Sequence, residues 1–440
     1  MAGAAEPGIR RDLSLLRHRR FVILLATRTV STLGASFAPV ALAFGVLGLP
    51  HATPTTLSVV LAAEALPLVA FLLVGGVVAD RLPRWKVMVA GDTGNALAYA
   101  AAGAMLVTGW APIGALVLAA ALSGIATATL FPAMTGIIPE VVPADRLQTG
   151  NALLGFGTNI ARVTGLVASG AAVVLLGGGW ALAVSAAMFA VAATITTGLR
   201  GPLPAEAAGR HSVIQDLREG WREFAARQWL WVVVLQFSVL VMAVQAAHGV
   251  LGPVVAKQSL GGAPAWSAVL AGEAVGMIVG VTVALRLRPR RPILVATLLT
   301  APAALPYLLL GLGTPLWTVV AGGFVQGVCF DIFGVLWQTT MQREIPAAAL
   351  SRVSSYDALG SLMFGPIGLL LAGPAAVLVG PRPALVGCAV IVVLTTLAAL
   401  AAPGVRALRA PADTPADTPA GTPAGAPAEA PAAPPPTVVP

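Results

Sequence analysis

Apolar side chains in this chain come in long unbroken runs rather than in alternation with polar ones. Twelve runs can be marked, at residues 21–49, 55–78, 87–108, 112–134, 152–177, 180–199, 230–255, 264–286, 292–311, 315–338, 358–379 and 383–402. An α-helix rising ~1.5 Å per residue needs about 20 residues to cross a hydrocarbon core of ~30 Å. Each run meets that requirement, and several are joined by only a few residues. A strand barrel would alternate instead, so the pattern predicts an all-α membrane protein with twelve transmembrane helices. The first twenty residues carry five arginines and lack a short apolar core followed by a small-residue cleavage site, so the first span is expected to be retained.

Composition agrees with the pattern. Of 440 residues, 57% are hydrophobic and 10% charged, more apolar surface than a soluble fold of this size buries. Charge adds an orientation. The N-terminal tail, the connections after the even-numbered spans and the C-terminal tail hold 22 of the 26 Lys and Arg, whereas the other face carries only Lys257 and Arg382. That asymmetry predicts a multi-pass protein of the cytoplasmic membrane with both termini inside the cell. It also accounts for the formal charge of +8 without a nucleic-acid partner. Cys329 and Cys388 both fall inside spans and show no metal-ligand spacing, so no disulfide framework, metal site or cofactor is expected.

The apolar rhythm breaks once, at residues 200–229. There Val213, Leu217, Trp221 and Phe224 fall at helical spacing against a charged face, which predicts an amphipathic linker helix along the inner membrane surface. The flanking segments repeat each other. SVVLAAEA at 58–65 returns as SAVLAGEA at 267–274, and the same offset matches Arg81 to Arg290 and Pro83 to Pro292. Pro143 and Leu147 return as Pro346 and Leu350. The expected domains are thus a tail (1–20), a six-helix bundle (21–199), the linker (200–229), a second six-helix bundle (230–402) and a disordered Pro/Ala-rich tail (403–440). Two such pseudo-symmetric bundles leave room for a cavity between them.

GGVVADRLPRWK at 75–86 closes the second span. Its Gly76, Asp80, Arg81 and Arg84 resemble the G-x-x-x-D-R-x-G-R-[RK] loop of the major facilitator superfamily, with Pro83 replacing the second glycine and Lys86 following a displaced tryptophan. FPAMTGIIPEVVPADRLQTGNAL at 131–153 is similar to the branch that contains the enterobactin exporter and macrolide efflux proteins. The resemblance implies the major facilitator fold. It also implies a gating role for Gly76, Asp80, Arg81, Arg84 and Lys86, through docking on the start of span 11 at 351–360. The fourth span carries no charge, unlike that of the drug/proton antiporters, so their coupling residue has no counterpart.

Charges inside a bilayer cost ~2.5–3.5 kcal/mol on insertion scales and need a reason. Arg28 and Asp92 lie at similar depths in spans 1 and 3 and are expected to pair, unless Arg28 snorkels to the surface. Arg162 and Glu273 lie near mid-membrane in spans 5 and 8, which face each other in the family, and form a second expected pair. Asp331 and Glu64 are left over. Together with Glu273 they are the proton-coupling candidates, Asp331 first because span 10 lines the family's cavity; Glu64 could instead be a protonated acid bonded to span 11. Substrate contacts are offered by Ser36, Gln245, His248, Gln326, Trp337 and Gln338. His248 alone fits a packing residue as well as a ligand.

No GxxxxGK[ST] loop, nucleophile elbow or convergent acid/base set is present. The expected function is therefore not enzymatic. It is alternating-access, proton-driven export of a small hydrophobic compound (a drug, antibiotic or siderophore) by a monomer in the lipid bilayer. A nutrient importer or uncoupled facilitator, and a non-transporting receptor or scaffold, remain alternatives.

Overall fold

The structure is a computed structural model, and it describes residues 13–143, 146–200 and 221–409. All regular structure in these residues is helical. Twelve long segments follow one another: α1 (Arg19–Leu47), α2 (Pro54–Arg81), α3 (Arg84–Thr108), α4 (Ile113–Gly136), α5 (Leu147–Leu176), α6 (Gly178–Thr196), α7 (Gln228–Ser259), α8 (Ala263–Ala284), α9 (Pro292–Gly311), α10 (Leu316–Glu344), α11 (347–378) and α12 (Pro381–Ala401). Eleven are apolar enough to cross a membrane by composition alone. The twelfth, α3, is 25 residues long but carries Asp92 and Asn95, and it turns both inward, where they are buried.

Local chemistry sets the ends. Thr53 caps α2 reciprocally: its hydroxyl accepts from the Thr56 amide and the Thr56 hydroxyl accepts from the Thr53 amide, both at 3.2 Å, ahead of Pro54 at the first helical position. Proline also breaks regularity inside the spans. α7 passes through a π-helical stretch, Ala246–Leu251, just before Pro253, whose missing N–H releases a rung of the hydrogen-bond ladder.

In lipid there is little hydrophobic force between helices, so association rests on close packing of small residues and on interhelical hydrogen bonds. The two halves solve this alike. A β-carbon on Gly124 of α4 would lie 2.0 Å from the Glu64 carbonyl oxygen of α2, and one on Gly327 of α10 would lie 2.0 Å from the Glu273 carbonyl oxygen of α8. Only glycine fits at either contact. The pairs α2/α4 and α8/α10 are thus the same crossing made twice, as the sequence repeat predicts.

The buried core divides in an informative way. One continuous cluster fills the end of the molecule away from Leu13 and Arg409 and includes Phe37, Leu57 and Tyr99 of the first half with Leu251, Trp266 and Tyr307 of the second. At the terminal end there are two separate clusters, one around Phe21, Met88 and Leu154, the other around Trp229, Phe333 and Trp337. Contacts between halves follow suit: α5 packs on α8, α2 packs on the second part of α11 (Gly365–Leu378), and Lys257 of α7 donates to the Leu47 carbonyl at the end of α1. Gly155 and Gly334, in the terminal portions of α5 and α10, face open space. Among the described residues the halves are closed at the far end, and at the end that carries Leu13 and Arg409 their buried clusters stay separate.

Of the linker, the predicted helix up to residue 220 lies outside the described residues. Beyond it, Phe224 is buried against the second half, and Trp221 stacks on it at 5.7 Å and meets Tyr356 of α11. The start of the N-terminal tail and the residues after 409 likewise lie outside the description.

Candidate functional site

Between the halves lies a cavity of ≈ 450 Å³. Most of its wall is Pro, Val, Leu, Ala and Met, and its polar groups are few: Ser36 of α1, Glu64 of α2, Arg162 of α5, Gln245 and His248 of α7, and Glu273 of α8. Three of the six substrate contacts read from the sequence (Ser36, Gln245 and His248) are therefore on the wall, as are two of the three acids proposed for coupling.

Each acid sits in a polar cluster rooted in its own half. Glu64 accepts from the Tyr99 hydroxyl at 2.7 Å and from Ser123 at 3.2 Å, while Ser123 also reaches Asn95 at 2.9 Å. In the second half Glu273 stands 3.5 Å from His248 Nε2, which is 3.2 Å from the Tyr307 hydroxyl, and Gln326 donates to that hydroxyl at 2.7 Å. The repeat relates the parts: Glu64 to Glu273, and Ser123 to Gln326 beside the paired glycines of the crossing. One difference separates them. In the first half the tyrosine bonds the carboxylate directly, whereas in the second His248 is inserted between acid and tyrosine. The π stretch of α7 carries this imidazole, which also meets Trp266 edge-on at 5.9 Å.

Other expectations are corrected. Arg28 and Asp92 form no ion pair: Asp92 is buried and accepts from Ser31 at 2.8 Å, while Arg28 lies three residues, nearly a turn, closer to the terminal end and leaves its Nε unbonded. Arg162 and Glu273 share the cavity wall but are not bridged. Arg162 Nη1 lies 3.7 Å from the sulfur of Met277, one turn beyond Glu273 on the same face of α8, and His248 occupies Glu273. Asp331 is half-buried off the wall with its β-carbon against Gly280 of α8, within Coulombic reach of Arg162. Gln326 is fully buried behind His248. Trp337 belongs to the terminal core of the second half, where it stacks on Phe333 and donates to Asp357 at 3.1 Å. Gln338 is exposed and is not on the cavity wall. Glu64 bonds within its own half rather than to α11.

Of the loop residues, the side chains of Gly76 and Asp80 lie outside the described structure, as do those of Ser351 and Arg352 at the start of α11. Arg81 and Lys86 are exposed. Lys86 and Arg200 both lie 5.6 Å from the Trp85 ring. Arg84 donates to the Gly136 carbonyl and pairs with Glu140 at 3.0 Å, tying the α2–α3 connection to the end of α4.

Sequence reasoning missed Tyr99, Ser123, Tyr307 and Asp357. A signal existed for two of them, since the chain has only three tyrosines and two stand inside apolar spans. Asp357 falls just before the apolar run at 358–379, whereas α11 already begins at Ala347.

The sequence profile of the Major Facilitator Superfamily matches residues 21–368. No curated protein sequence matches the chain. Among solved structures, the nucleoside transporter NupG superposes with a TM-score of 0.73 at 15% identity, covering 87% of this chain and 98% of that one. A bacterial homolog of the human lysosomal transporter Spinster, inward-facing and unoccupied, gives 0.64 at 16% identity over 88% and 97%. A POT family transporter in complex with 5-aminolevulinic acid gives 0.69 at 12% identity over 87% and 95%. At such identities the likeness is one of fold.

Proposed function

This chain belongs to the Major Facilitator Superfamily and is a multi-pass secondary transporter rather than an enzyme; from that premise we propose that it exports a small, largely apolar compound across the cytoplasmic membrane in exchange for protons. In this reading both termini are inside the cell, so the end with the separate clusters faces the cytoplasm and collects cargo there. The Lys and Arg asymmetry supports that orientation. The branch is that of the enterobactin exporter and macrolide efflux proteins, and the cargo is a drug, an antibiotic or a siderophore.

The observation that carries the proposal is the make-up of the cavity. Its ≈ 450 Å³ suit a drug-sized molecule, its walls are mostly apolar, and its two carboxyl groups face it from opposite repeats. The two acids differ in freedom. Glu64 is held by two hydroxyl donors, whereas Glu273 has only the looser contact with the His248 imidazole at 3.5 Å. Glu273 with His248 is therefore assigned proton exchange, and Glu64 the shaping of the opposite wall. Arg162 serves as the sliding contact. As the halves rock, it moves along α8 between Met277 and Glu273, and pairing with Glu273 competes with His248 for the carboxylate.

A second reading is supported by Arg162, whose charge beside two acids would also suit a polar zwitterion taken up from outside. Two of the named neighbours are a nucleoside transporter and a POT family transporter. One experiment separates the two. Inside-out vesicles containing the full chain are given a fluorescent lipophilic dye and, separately, a radiolabelled zwitterionic dipeptide, with and without an acid interior. Export by exchange predicts dye accumulation that depends on the acid interior. Accumulation of the dye that ignores the pH difference, or transport of the dipeptide alone, overturns the proposal.

A further inference from the structure

Outside the central cavity, the cleft between the α8–α9 connection and the end of α10 gathers four arginines, Arg288, Arg290, Arg343 and Arg409, around ≈ 740 Å³. No Asp or Glu is among its described lining residues. Its remaining wall is Thr339, Thr340 and apolar groups, with Leu285 at 74% and Leu287 at 37% exposure along the lip.

The sequence repeat sharpens the anomaly. In the first half the corresponding corner holds Asp80, Arg81 and Glu140, and there Glu140 pairs with Arg84 at 3.0 Å. The offset that relates Arg81 to Arg290 places Pro289 where Asp80 stands, and the offset that relates Pro143 to Pro346 places Arg343 where Glu140 stands. Both acids of the first half have been lost, and one has been replaced by a base. Four guanidinium groups sharing one cleft repel each other unless an anion joins them.

We infer that this cleft binds a phosphate-bearing anion, the headgroup of an anionic phospholipid. Guanidinium groups take phosphate oxygens in pairs, and the Thr339 hydroxyl beside them supplies a further donor, while that of Thr340 is already given to the Leu336 carbonyl. The lip decides between a lipid and a soluble phosphate. Leu285 and Leu287 follow directly on α8, where the membrane span stops, so a headgroup in the cleft would leave its acyl chains lying along these side chains. Basic pockets between membrane helices hold acidic headgroups in this way. Among the described residues, the corresponding corner of the first half carries an internal ion pair instead.

Native mass spectrometry of the purified full chain tests this, with dioleoyl phosphatidylglycerol, dioleoyl phosphatidylcholine and inorganic phosphate as probes. The wild type is expected to hold phosphatidylglycerol at least about tenfold more tightly than phosphatidylcholine. Arg343→Glu, which restores the acid of the first half, and the milder Arg290→Gln should each erase most of that preference. Arg382→Gln, at the far end, should leave it intact. Binding of phosphate alone, with displacement of the lipid at millimolar concentration, would overturn the lipid assignment. Equal retention of both lipids by the wild type, or an undiminished preference in a monodisperse Arg343→Glu or Arg290→Gln protein, would overturn the site itself.

Discussion

Gly373 of α11 lies so close over Ser58 of α2 that a β-carbon on the glycine would stand 2.6 Å from the serine hydroxyl. Gly170 of α5 stands in the same relation to Ser267 of α8, at 2.4 Å. Ser58 and Ser267 open the two copies of the repeated octapeptide, and both hydroxyls are buried without a hydrogen-bond partner. The far end is thus shut by the same contact made twice, and each closure strips water from a hydroxyl without replacing it. Such a group costs about 1–3 kcal/mol. The closed state is therefore held by packing against a polar penalty, a balance that permits reopening.

A bulkier residue at these glycines should tip that balance. Gly373→Val or Gly170→Val forces the halves apart at the far end, and a reporter cysteine at Ser36 should react faster with an impermeant maleimide added outside. A tenfold increase corresponds to about 1.4 kcal/mol of shift. Cys329 and Cys388 are buried and give a low background. Unchanged labelling in both variants would show that the closure does not depend on these contacts.

Lys257 contributes from another direction. Its ammonium bonds the Leu47 carbonyl, one of the groups left open at the end of α1, where a cation also meets the negative end of the helix dipole. Lys257→Met is expected to raise outside labelling of the same reporter by a smaller factor, about two- to fivefold, because an ion–dipole contact of this kind is worth only ~0.3–1 kcal/mol. Salt should mimic the substitution in the wild type.

The two acids of the cavity should separate by experiment. Glu273→Gln and His248→Asn are expected to abolish the response of dye transport to an imposed pH difference while leaving dye binding within about threefold. Glu64→Gln should weaken dye binding but keep the pH response. Asp331→Asn, off the wall, should keep both. A pH response lost in Glu64→Gln and kept in Glu273→Gln would reverse the assignment.

Tyr99→Phe removes the shortest bond to Glu64 without changing the shape of the ring, which also stacks on Phe189 at 5.8 Å. The carboxylate keeps Ser123 alone. Thermal unfolding in detergent should report a loss of about 1–3 kcal/mol. In Tyr99→Phe combined with Glu64→Gln, most of that loss should return, since a neutral amide is cheaper to leave half-satisfied. The ion pair of Arg84 and Glu140 is partly exposed, and Glu140→Gln should cost no more than ~1 kcal/mol.

The sequence by itself determined the parts that depend on one dimension. Run length settled the number of spans, because bilayer thickness fixes how many residues a helix needs, and the repeated octapeptide settled the doubled architecture. Ionisable groups inside apolar runs are few, so Glu64 and Glu273 stood out in the chain, but so did Asp331 and Asp92, and only the packing puts the first two on the cavity wall and the last two off it. What only the tertiary structure decided was rotation and partnership. Depth along a span says nothing about which way a side chain points, and a turn of about 100° per residue separates a cavity wall from a core. For that reason equal depth suggested bridges between Arg28 and Asp92 and between Arg162 and Glu273, where helix packing instead gives Asp92 to Ser31 and Glu273 to His248. The same rotation sends Trp337 to Asp357 and Asp331 against Gly280. The parting of the core into one cluster at the far end and two at the terminal end is likewise invisible in the chain, because it belongs to how two similar bundles lean on each other.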